Sequence, residues 1–248
     1  MFDSRFETYL ADTEFAHRLH YQIRYHVFCL DKGFEDPGKS LSQEETDRWD
    51  EQSVHFLIRE KATGQWVATM RMILPKAKPF PIESICNVSF PDEFTYKRDA
   101  SCEISRLSMV KRYRGHQGDA GISRSMGSAP DPTDVVTEVN DGVSRRSEPE
   151  IMLGLFRAAL AYSRNHGLRQ WYFLITPALA RMIRKLGVLL EQMGPSVEHR
   201  GTRVPYVTDP EESCRTAFGK SHQIAEMFNR NVPAYRLFSE LSPEQKVA

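Results

Sequence analysis

Paired cysteines are missing from this chain, and with them the usual signs of a disulfide framework or a structural zinc site. The 248 residues include four cysteines: Cys29, Cys86, Cys102 and Cys214. No two of them form a C-x-x-C pair, and such scattered cysteines are typical of free thiols in a reducing cytosol. His17 and His20 lie three apart on a predicted helix, but no third ligand is near them in sequence. We predict no metal site.

Net charge and long apolar runs are also absent. The 33 lysines and arginines balance 33 aspartates and glutamates, so bulk electrostatic attraction to nucleic acid or to an anionic membrane is not expected. No apolar run approaches the roughly 18 residues that a transmembrane helix requires. The first residues, MFDSRFE, lack the apolar core of a secretory signal. These absences predict a cytoplasmic protein with no membrane-spanning segment and no nucleic-acid partner.

Three common catalytic signatures do not occur. The chain has no GxGxxG after a strand, no GxxxxGK[ST] and no HExxH, so dinucleotide binding, P-loop phosphoryl transfer and zincin chemistry are unsupported. No serine, cysteine or histidine stands in a recognisable nucleophile motif. We therefore expect no tightly bound cofactor.

The apolar periodicities predict a mixed fold of the α+β or mixed α/β class, with a central sheet covered by helices on both faces. The predicted helices span 14–29, 149–166 and 177–186, and further helical pieces are expected as a C-terminal extension at 210–241. The predicted strands span 54–59, 66–74, 101–110, 171–175, 188–192 and 204–207. We predict that residues 1–248 form a single domain.

Residues 115–149 differ from the rest in composition. They are rich in Gly, Ser, Asp and Pro and contain almost no large apolar side chains. Such a segment cannot bury enough surface to offset the entropy of ordering it. We predict a mobile or disordered insertion within the domain. The alternative is a linker between two domains, but neither flanking half looks self-sufficient.

Charged residues lie inside two of the most apolar segments. Arg71 is at the centre of WVATMRMIL, and Glu103 and Arg106 lie within CEISRLSMV. Burying an unpaired charge costs several kcal/mol, so these groups are expected to pair, to line a cleft, or both. The segment ETDRWD at 45–50 offers carboxylates for the arginines.

We favour pairing of Arg24 and Arg71 with Asp47 and Asp50, which would order the acidic loop over an amine site. One arginine could instead hold a substrate carboxylate by a bidentate contact. In a regular strand Glu103 and Arg106 point to opposite faces. A β-bulge between them would bring both to the cleft, and without one Arg106 is structural.

The motifs in their order resemble the acyl-homoserine-lactone synthases, an acyl-carrier-protein-dependent branch of the GNAT acyltransferases. They resemble even more the N-acyl amino acid synthases and the PEP-CTERM/exosortase-associated acyltransferases. The resemblance covers roughly residues 15–115 and 150–207. The matching segments are RYHVF (24–28), FE (34–35), ETDRWD (45–50), SVHFL (53–57), ATMRMIL (68–74), EISRLSM (103–109), RMIRKLG (181–187) and EHRGTRVPY (198–206).

The resemblance implies a GNAT-like mixed, splayed sheet and transfer of a fatty acyl group from a phosphopantetheine thioester to an amine. It also implies a polar cluster around the substrate cleft, formed by Arg24, Phe28, Phe34, Asp47, Asp50, Arg71, Glu103 and Arg106, to which we add Ser105. Phe34 replaces the tryptophan that helps to bind S-adenosylmethionine in the lactone synthases. This departure favours another amine, such as an amino acid.

Glu103 is the candidate general base, with Arg106 assigned to the catalytic site beside it. A thioester is already activated, so no covalent enzyme intermediate is required, but an ammonium substrate must lose a proton before it attacks. Burial could raise the pKa of Glu103 and suit it to this step, directly or through a water. The alternative is that Glu103 only pairs with an arginine.

The donor side is expected at the end of the same strand. The resemblance to GNAT enzymes places the thioester carbonyl against backbone N–H groups of residues 105–109, and a basic pyrophosphate loop immediately afterwards. The predicted donor residues are Leu107, Ser108, Met109, Arg112, Arg114 and Gly115. Because the insertion interrupts this loop, we expect acyl carrier protein rather than coenzyme A as the donor.

Basic residues could dock the acidic carrier protein: Lys111, Arg112, Arg114, Arg181, Arg184 and Lys185. A solvated surface is an equally good interpretation of those on the helix. Three alternatives to an N-acyl amino acid synthase stay open at this point. They are an autoinducer (lactone) synthase that uses S-adenosylmethionine, an acyl-CoA-dependent GNAT enzyme, and a non-catalytic relative that binds acyl carrier protein or lipid.

Overall fold

The structure is a computed structural model that describes residues 2–91, 94, 97–113 and 141–246, with the side chains of 39 and 141–146 left out. The helices are α1 Phe2–Arg5, α2 Glu14–Tyr25, α3 Pro81–Ile85, α4 Asp141–His166, α5 Pro177–Lys185, α6 Pro210–Lys220, α7 His222–Asn229 and α8 Pro243–Lys246. The strands are β1 Phe6–Leu10, β2 Ser53–Glu60, β3 Trp66–Ile73, β4 Ser101–Met109, β5 Gln170–Ile175, β6 Glu191–Gln192, β7 Val197–Glu198, β8 Thr202–Thr208 and β9 Arg236–Leu237.

The strands form one mixed sheet in the order β6-β8-β5-β4-β3-β2-β1-β9, and β7 pairs with β8 outside this path. Pairing is antiparallel except between β4 and β5 and between β1 and β9. Helices pack on both faces of the sheet, so the predicted mixed α/β class with a GNAT-like sheet is confirmed.

β4 and β5 lie side by side for only part of their length. Residues 101–104 pair with 170–173, and the two strands then part. Beyond that point β4 follows β3 to Met109, while β5 follows β8 to Ile175. The result is a V-shaped opening in the middle of the sheet, which we call the splay.

β4 also contains a bulge just beyond the point where the strands part. Ser108 pairs with Thr69 but Ser105 pairs with Arg71, so β4 carries one more residue than β3 across this interval. Arg106 has a φ of 50°, a left-handed conformation that is strained for a residue with a side chain. The hydroxyls of Thr69 and Ser108 donate to its carbonyl oxygen at 3.5 and 3.3 Å. The bulge that would bring Arg106 to the same side as Glu103 is therefore present.

The two faces of the sheet have different roles. Met70, Met72 and Ile104 point into the larger core beneath α4. The opposite face carries Leu57 beneath α2, and Ile73 and Tyr172 beneath α3. Because Glu103 pairs with both Ile73 and Tyr172, its side chain shares this second face, and so does that of Arg71.

Several element boundaries differ from the sequence prediction. β1 and α3 were not predicted, and the predicted helix 14–29 is an α-helix to Tyr25 followed by a π-helical segment, His26–Asp31. α4 begins at Asp141 rather than at 149, so residues 141–149 of the predicted insertion are helical. The rest of that segment lies outside the described residues. None of the helices in the described ranges is long and apolar enough to cross a membrane.

The predicted strand 188–192 is reduced to Glu191–Gln192. The backbone groups of its first residues bond to side chains instead of to a neighbouring strand. The N–H of Leu189 donates to the Ser213 hydroxyl at 3.0 Å, and the carbonyl of Leu190 accepts from Arg184 at 2.8 Å. These contacts hold the chain against α5 and α6 and away from β8.

Candidate active site

Three arginines from three different elements converge on the acidic loop, residues 45–50. Arg24 comes from the last turn of α2, Arg71 from the centre of β3, and Arg106 from the bulge in β4. All three guanidiniums lie on the same face of the sheet. The loop supplies the carboxylates of Glu45, Asp47 and Asp50, so the six groups form a network without net charge.

Arg24 and Arg71 share one carboxylate. Arg24 donates from Nη1 to Asp50 Oδ1 at 2.7 Å and from Nε to Glu45 Oε2 at 2.5 Å. Arg71 donates from Nη1 to the same Asp50 oxygen at 2.8 Å and to Asp47 Oδ1 at 2.6 Å. The pairing expected for Arg71 is present, whereas the second partner of Arg24 is Glu45 and not Asp47.

Arg106 completes the network from the other side. Its Nε and Nη2 both donate to Glu45, at 3.0 and 2.8 Å, and Nη2 also donates to Asp47 Oδ2 at 3.0 Å. This two-pronged contact suits the planar fork of a guanidinium. The bulge therefore gives Arg106 a direct role in holding the loop.

The loop also stabilises its own turn. Asp50 Oδ2 accepts from the N–H of Asp47 at 2.7 Å, and Asp47 Oδ1 accepts from the N–H of Trp49 at 2.9 Å. Short acidic side chains that bind nearby backbone N–H groups are typical of such turns. The Trp49 indole donates to the carbonyl of Pro79 at 2.8 Å, which ties the loop to the segment leading into α3.

Burial and pairing have opposite effects on these carboxylates. Burial disfavours their charge, but the guanidiniums of Arg106 and Arg24 hold the pKa of Glu45 at about 2. In the same way Arg24 and Arg71 hold the pKa of Asp50 well below its ordinary value, against the effect of burial. Glu45 and Asp50 are both buried, so they stay ionised in the interior only because the arginines are there.

Glu103 lies apart from this network although it is on the same face. Its Oε2 accepts from the N–H of Ile82 in the first turn of α3 at 2.9 Å, and the residue is 2% exposed. Among the described residues no arginine forms an ion pair with it. Burial raises the pKa of Glu103 to about 8, while the Ile82 N–H and the charge of Arg71 act in the opposite direction. The carboxyl is thus an acid–base group that titrates near neutral pH.

Ser105 links the Glu103 side to the arginine network. Its hydroxyl accepts from Arg71 Nε at 3.0 Å, and it lies two residues after Glu103 on the same face of β4. The guanidinium of Arg71 is therefore fixed by a serine on one side and by two carboxylates on the other. Such an arrangement keeps its rotamer constant.

Phe28 and Phe34 form a short aromatic strip next to the network. Their rings stack with centroids 6.4 Å apart. The guanidinium of Arg106 lies 5.6 Å from the Phe28 ring, and that of Arg203, from β8, lies 5.7 Å from the Phe34 ring. Phe34 is 39% exposed. The strip therefore runs from the bulge towards β8 and remains accessible to a ligand.

The predicted donor residues separate into two groups. Leu107 and Met109 pack towards the α4 core, while Ser108 is buried on the other face and supports the bulge. Arg112 forms an ion pair with Glu60 at 2.9 Å and bonds to the Tyr113 hydroxyl. The predicted residues Arg114 and Gly115 lie outside the described residues.

Exposed basic residues occupy α5. Arg181, Arg184 and Lys185 are all exposed on this helix, which begins directly after β5 at the open end of the splay. Arg184 is partly engaged, because it donates to the carbonyl of Leu190 and stacks on Tyr206. The later part of α5 therefore presents exposed basic side chains.

The histidines do not form a metal site within the residues that the structure describes. His17 Nε2 bonds to the carbonyl of Ala11 at 2.8 Å, and the rings of His20 and His55 lie 4.5 Å apart behind the arginine network. Burial lowers the pKa of both His20 and His55, so both rings are neutral near pH 7. They act as packing groups beneath Arg24.

Sequence reasoning did not assign three site residues. Glu45 was recognised only as one of several carboxylates near the arginines, and Arg203 only as part of a matching motif. Ile82 belongs to α3, a five-residue helix that the sequence analysis did not predict. A proline at the first position of a helix is a start signal, and Pro81 holds that position in α3.

The comparisons with known proteins concern the fold. Residues 23–123 match the family of acetyltransferase (GNAT) domains. No curated protein matches the chain in sequence.

Three solved structures illustrate the likeness of fold. The acyl-homoserine-lactone synthase LasI is 17% identical with a TM-score of 0.52, over 83% of this chain and 90% of its own. BjaI, a CoA-dependent acyl-homoserine-lactone synthase solved with SAM and isopentyl-CoA, is 14% identical with a TM-score of 0.55, over 84% and 81%. FeeM, an N-acyl amino acid synthase from uncultured soil microbes, is 11% identical with a TM-score of 0.52, over 86% and 94%. At such low identities these matches show the fold.

Proposed function

Since this chain carries a GNAT acetyltransferase domain and is an acyltransferase of that superfamily, we propose that it transfers a fatty acyl group from acyl carrier protein to the amine of an amino acid. The observation that carries the proposal is Glu103. It is a buried carboxyl with its pKa raised to about 8, on the face of β4 that also holds Arg71, at the point where the sheet opens.

The proposed chemistry is direct attack of the amine on the thioester. An amino acid arrives as an ammonium ion, so a proton must leave nitrogen before the lone pair can attack. Glu103 accepts this proton, directly or through a water, and the carbonyl carbon then passes from thioester to amide as the thiol departs. General-base help of this kind is worth roughly 10²–10⁴-fold in rate.

The strand edge at the splay is suited to hold the acyl donor. Past Ile104 no strand among the described residues pairs with the β5 side of β4, so backbone N–H groups of residues 105–109 can point towards a ligand. Such preorganised donors stabilise the negative charge that develops on the carbonyl oxygen of the thioester. The phosphopantetheine arm would lie in the opening between the two strands, beside Leu107 and Met109.

The acceptor side is the face of the acidic loop and the aromatic strip. Phe34 lies there in place of the tryptophan that the resemblance to lactone synthases predicts, which favours an amine other than S-adenosylmethionine. The likeness of fold to FeeM, an N-acyl amino acid synthase, supports the same choice of acceptor.

For the donor we propose acyl carrier protein. The exposed arginines and lysine lie along α5, the helix that follows β5, and offer positive charge to an acidic carrier. Arg112, predicted for pyrophosphate binding, is instead engaged by Glu60. BjaI is described as CoA-dependent, so the donor requires a direct test.

A second candidate is synthesis of an acyl-homoserine lactone from S-adenosylmethionine. The fold likeness to LasI and BjaI favours it, and BjaI was solved with SAM bound. The two candidates differ in the acceptor and share the chemistry at Glu103. Their products differ in mass, so one experiment separates them.

That experiment offers the purified protein long-chain acyl carrier protein or acyl-CoA, together with the twenty amino acids and S-adenosylmethionine, and identifies products by mass spectrometry. An N-acyl amino acid formed faster from the carrier protein supports the proposal. A lactone supports the second candidate, and equal rates with both donors contradict our choice of donor. Binding of the donor without any product indicates a non-catalytic acyl-binding protein.

The role of Glu103 is tested by Glu103→Gln, which keeps the size of the side chain and an oxygen for the Ile82 N–H. We expect a 10²–10⁴-fold loss of kcat without a fall in melting temperature, because a carboxyl whose pKa is raised by burial does not stabilise the fold at neutral pH. Glu191→Gln, which alters an exposed carboxylate on β6, is the matched control and is expected to be fully active. Full activity of Glu103→Gln would refute the assignment of the base.

A further inference from the structure

Arg203 lies on the acceptor side of the sheet, across the splay from Glu103. It is on the same face of β8 as Val207, which pairs with Tyr172, and Tyr172 in turn pairs with Glu103. The pairing of β8 with β5 ends at Val204, so Arg203 belongs to the end of β8 where the sheet is open.

The aromatic strip connects Arg203 to the arginine network. Its guanidinium lies 5.7 Å from the Phe34 ring, Phe34 stacks on Phe28, and Phe28 lies beneath Arg106. Arg203 is half-buried and Phe34 is partly exposed. A small molecule resting on Phe34 could therefore touch Arg203 while its other end faces the bulge in β4.

Arg203 differs from its neighbours in its partners. Arg24, Arg71 and Arg106 are all bound to the carboxylates of the acidic loop, and Arg200 is paired with Glu35. Arg203 donates from Nη2 to the carbonyl of Arg200 at 2.9 Å. Within the described part of the chain no carboxylate forms an ion pair with it.

The surroundings of Arg203 carry an excess of positive charge. Burial, and then the charge of Arg200, lower the pKa of Arg203. The pKa of the neighbouring His199 is also lowered, first by burial and then by Arg200, Arg203 and Arg106. Arg200 and Arg203 therefore repel one another, an effect that Glu35 offsets only from the Arg200 side, and an anion bound at Arg203 would relieve that repulsion.

We propose that Arg203 binds the carboxylate of the acceptor amino acid and so selects acceptors that carry one. This inference rests on the acyl transfer proposed above. It identifies the class of acceptor from the surroundings of Arg203, which the proposal of acyl transfer did not use. A guanidinium matches a carboxylate with two parallel hydrogen bonds, and that of Arg203, which has no ion-paired carboxylate among the described residues, keeps further N–H donors beside the one that binds the Arg200 carbonyl. The amine of the same molecule would then face the side of the splay where Glu103 lies.

A purely structural role for Arg203 predicts different behaviour. If it served only to pack on Phe34 and to bond the Arg200 carbonyl, its removal would affect every acceptor equally. The discriminating measurement is therefore the preference for an amino acid over its own carboxamide, which keeps the amine and the side chain but removes the negative charge.

The experiment is isothermal titration of the full-length protein with the twenty L-amino acids and with their carboxamides. At least one amino acid is expected to bind at least 10-fold more tightly than its carboxamide. In Arg203→Met this amino acid should lose 10- to 100-fold in affinity while the carboxamide changes less than threefold. Arg203→Lys keeps the positive charge but not the planar fork. Its affinity for the amino acid should lie between that of the unaltered protein and that of Arg203→Met.

Arg215→Met, on the exposed face of α6, is the control and should leave both affinities unchanged. Melting temperatures of all variants identify any that fail to fold. No preference for the acid form in the unaltered protein, or an equal loss for both ligands in Arg203→Met and Arg203→Lys, overturns the inference. Tight binding without amide formation in the mass-spectrometric assay would refute the proposed reaction and leave the carboxylate site standing.

Discussion

Replacing Glu45 with glutamine should make the protein less stable at neutral pH and less sensitive to acid. The pKa of this carboxyl is about 2 in the folded protein, against an ordinary value of 4.5. The folded pKa is depressed, so the contribution to stability is fully present above pH 4.5 and is lost as the pH falls towards 2. The difference, 4.5 minus 2, is about 2.5 pKa units, or about 3 kcal/mol at 1.36 kcal/mol per unit.

The usual cost of removing one partner from a buried ion pair gives a similar value for the loss of stability. Glu45→Gln leaves Arg24 and Arg106 facing a neutral oxygen, and breaking such pairs typically costs 3–5 kcal/mol. We therefore expect the free energy of unfolding at pH 7 to fall by about 3 kcal/mol, and the gap between the two proteins to close as the pH approaches 2.

Urea unfolding followed by circular dichroism at pH 7, 5, 4 and 3 measures this gap directly. Glu51→Gln is the matched control, because Glu51 lies on the adjoining turn and its side chain is 81% exposed. Because its exposed ion pair with Lys78 contributes little, its free energy of unfolding should stay close to that of the unaltered protein at every pH. A gap below about 1 kcal/mol at pH 7, or one that is the same at pH 3 as at pH 7, would refute the assignment of Glu45 as the carboxylate that stabilises the two arginines.

The remaining predictions concern acid–base chemistry and packing. With Glu103 as base, kcat/KM should rise with pH to a plateau above about 8, and Glu103→Gln should remove this rise. If the rise persists unchanged in the variant, it reflects titration of the substrate and not of Glu103. Gly154→Ala would place a methyl group 2.1 Å from the Phe2 ring and should lower the free energy of unfolding by about 1–3 kcal/mol. Gly219→Ala, also helical but with open space around the new methyl group, should stabilise by up to about 1 kcal/mol, as thermal unfolding of both variants would show. Arg157→Met, which leaves the Asp3 carboxylate without its buried guanidinium, should cost about 3–5 kcal/mol in the same assay.

Charge inside apolar segments was the most informative signal in the sequence. An arginine at the centre of β3 needs a counter-charge, and only one nearby segment is acidic, so the pairing of Arg71 with the loop could be predicted. Sequence order does not fix which of three carboxylates each arginine reaches. Arg24 meets Glu45 rather than Asp47 because the outcome depends on how α2 lies across the sheet, which is a property of packing.

Short elements were less predictable because their formation depends on distant partners. β1 has five residues and is defined by pairing with β2, more than forty residues later. α3 has five residues and no periodicity to detect, yet its Ile82 N–H is the observed partner of Glu103. The first residues of α4 are polar and give no apolar face, so the sequence places the helix start too late.

The bulge in β4 shows how backbone geometry changes the face of the sheet on which a side chain lies, and therefore its role. A regular β4 would have put Arg106 beneath α4, where no carboxylate would meet it. One extra residue turns it to the face of the acidic loop, at the cost of a left-handed backbone that the Thr69 and Ser108 hydroxyls help to stabilise. The sequence shows that β4 could be regular or bulged, but only the strand register shows which of the two it is.

The neutrality of the arginine network has a consequence for how a substrate is bound. Each guanidinium of Arg24, Arg71 and Arg106 already binds protein carboxylates, so a substrate carboxylate would have to compete with Glu45, Asp47 or Asp50 for it. An incoming ammonium would likewise have to compete with an arginine for its carboxylate. A zwitterionic acceptor is therefore more easily held by charged groups outside the network. On our proposal these groups are Glu103 for the amine and Arg203 for the carboxylate, while the network serves as the charge-balanced support that keeps the loop, the bulge and the aromatic strip in place between them.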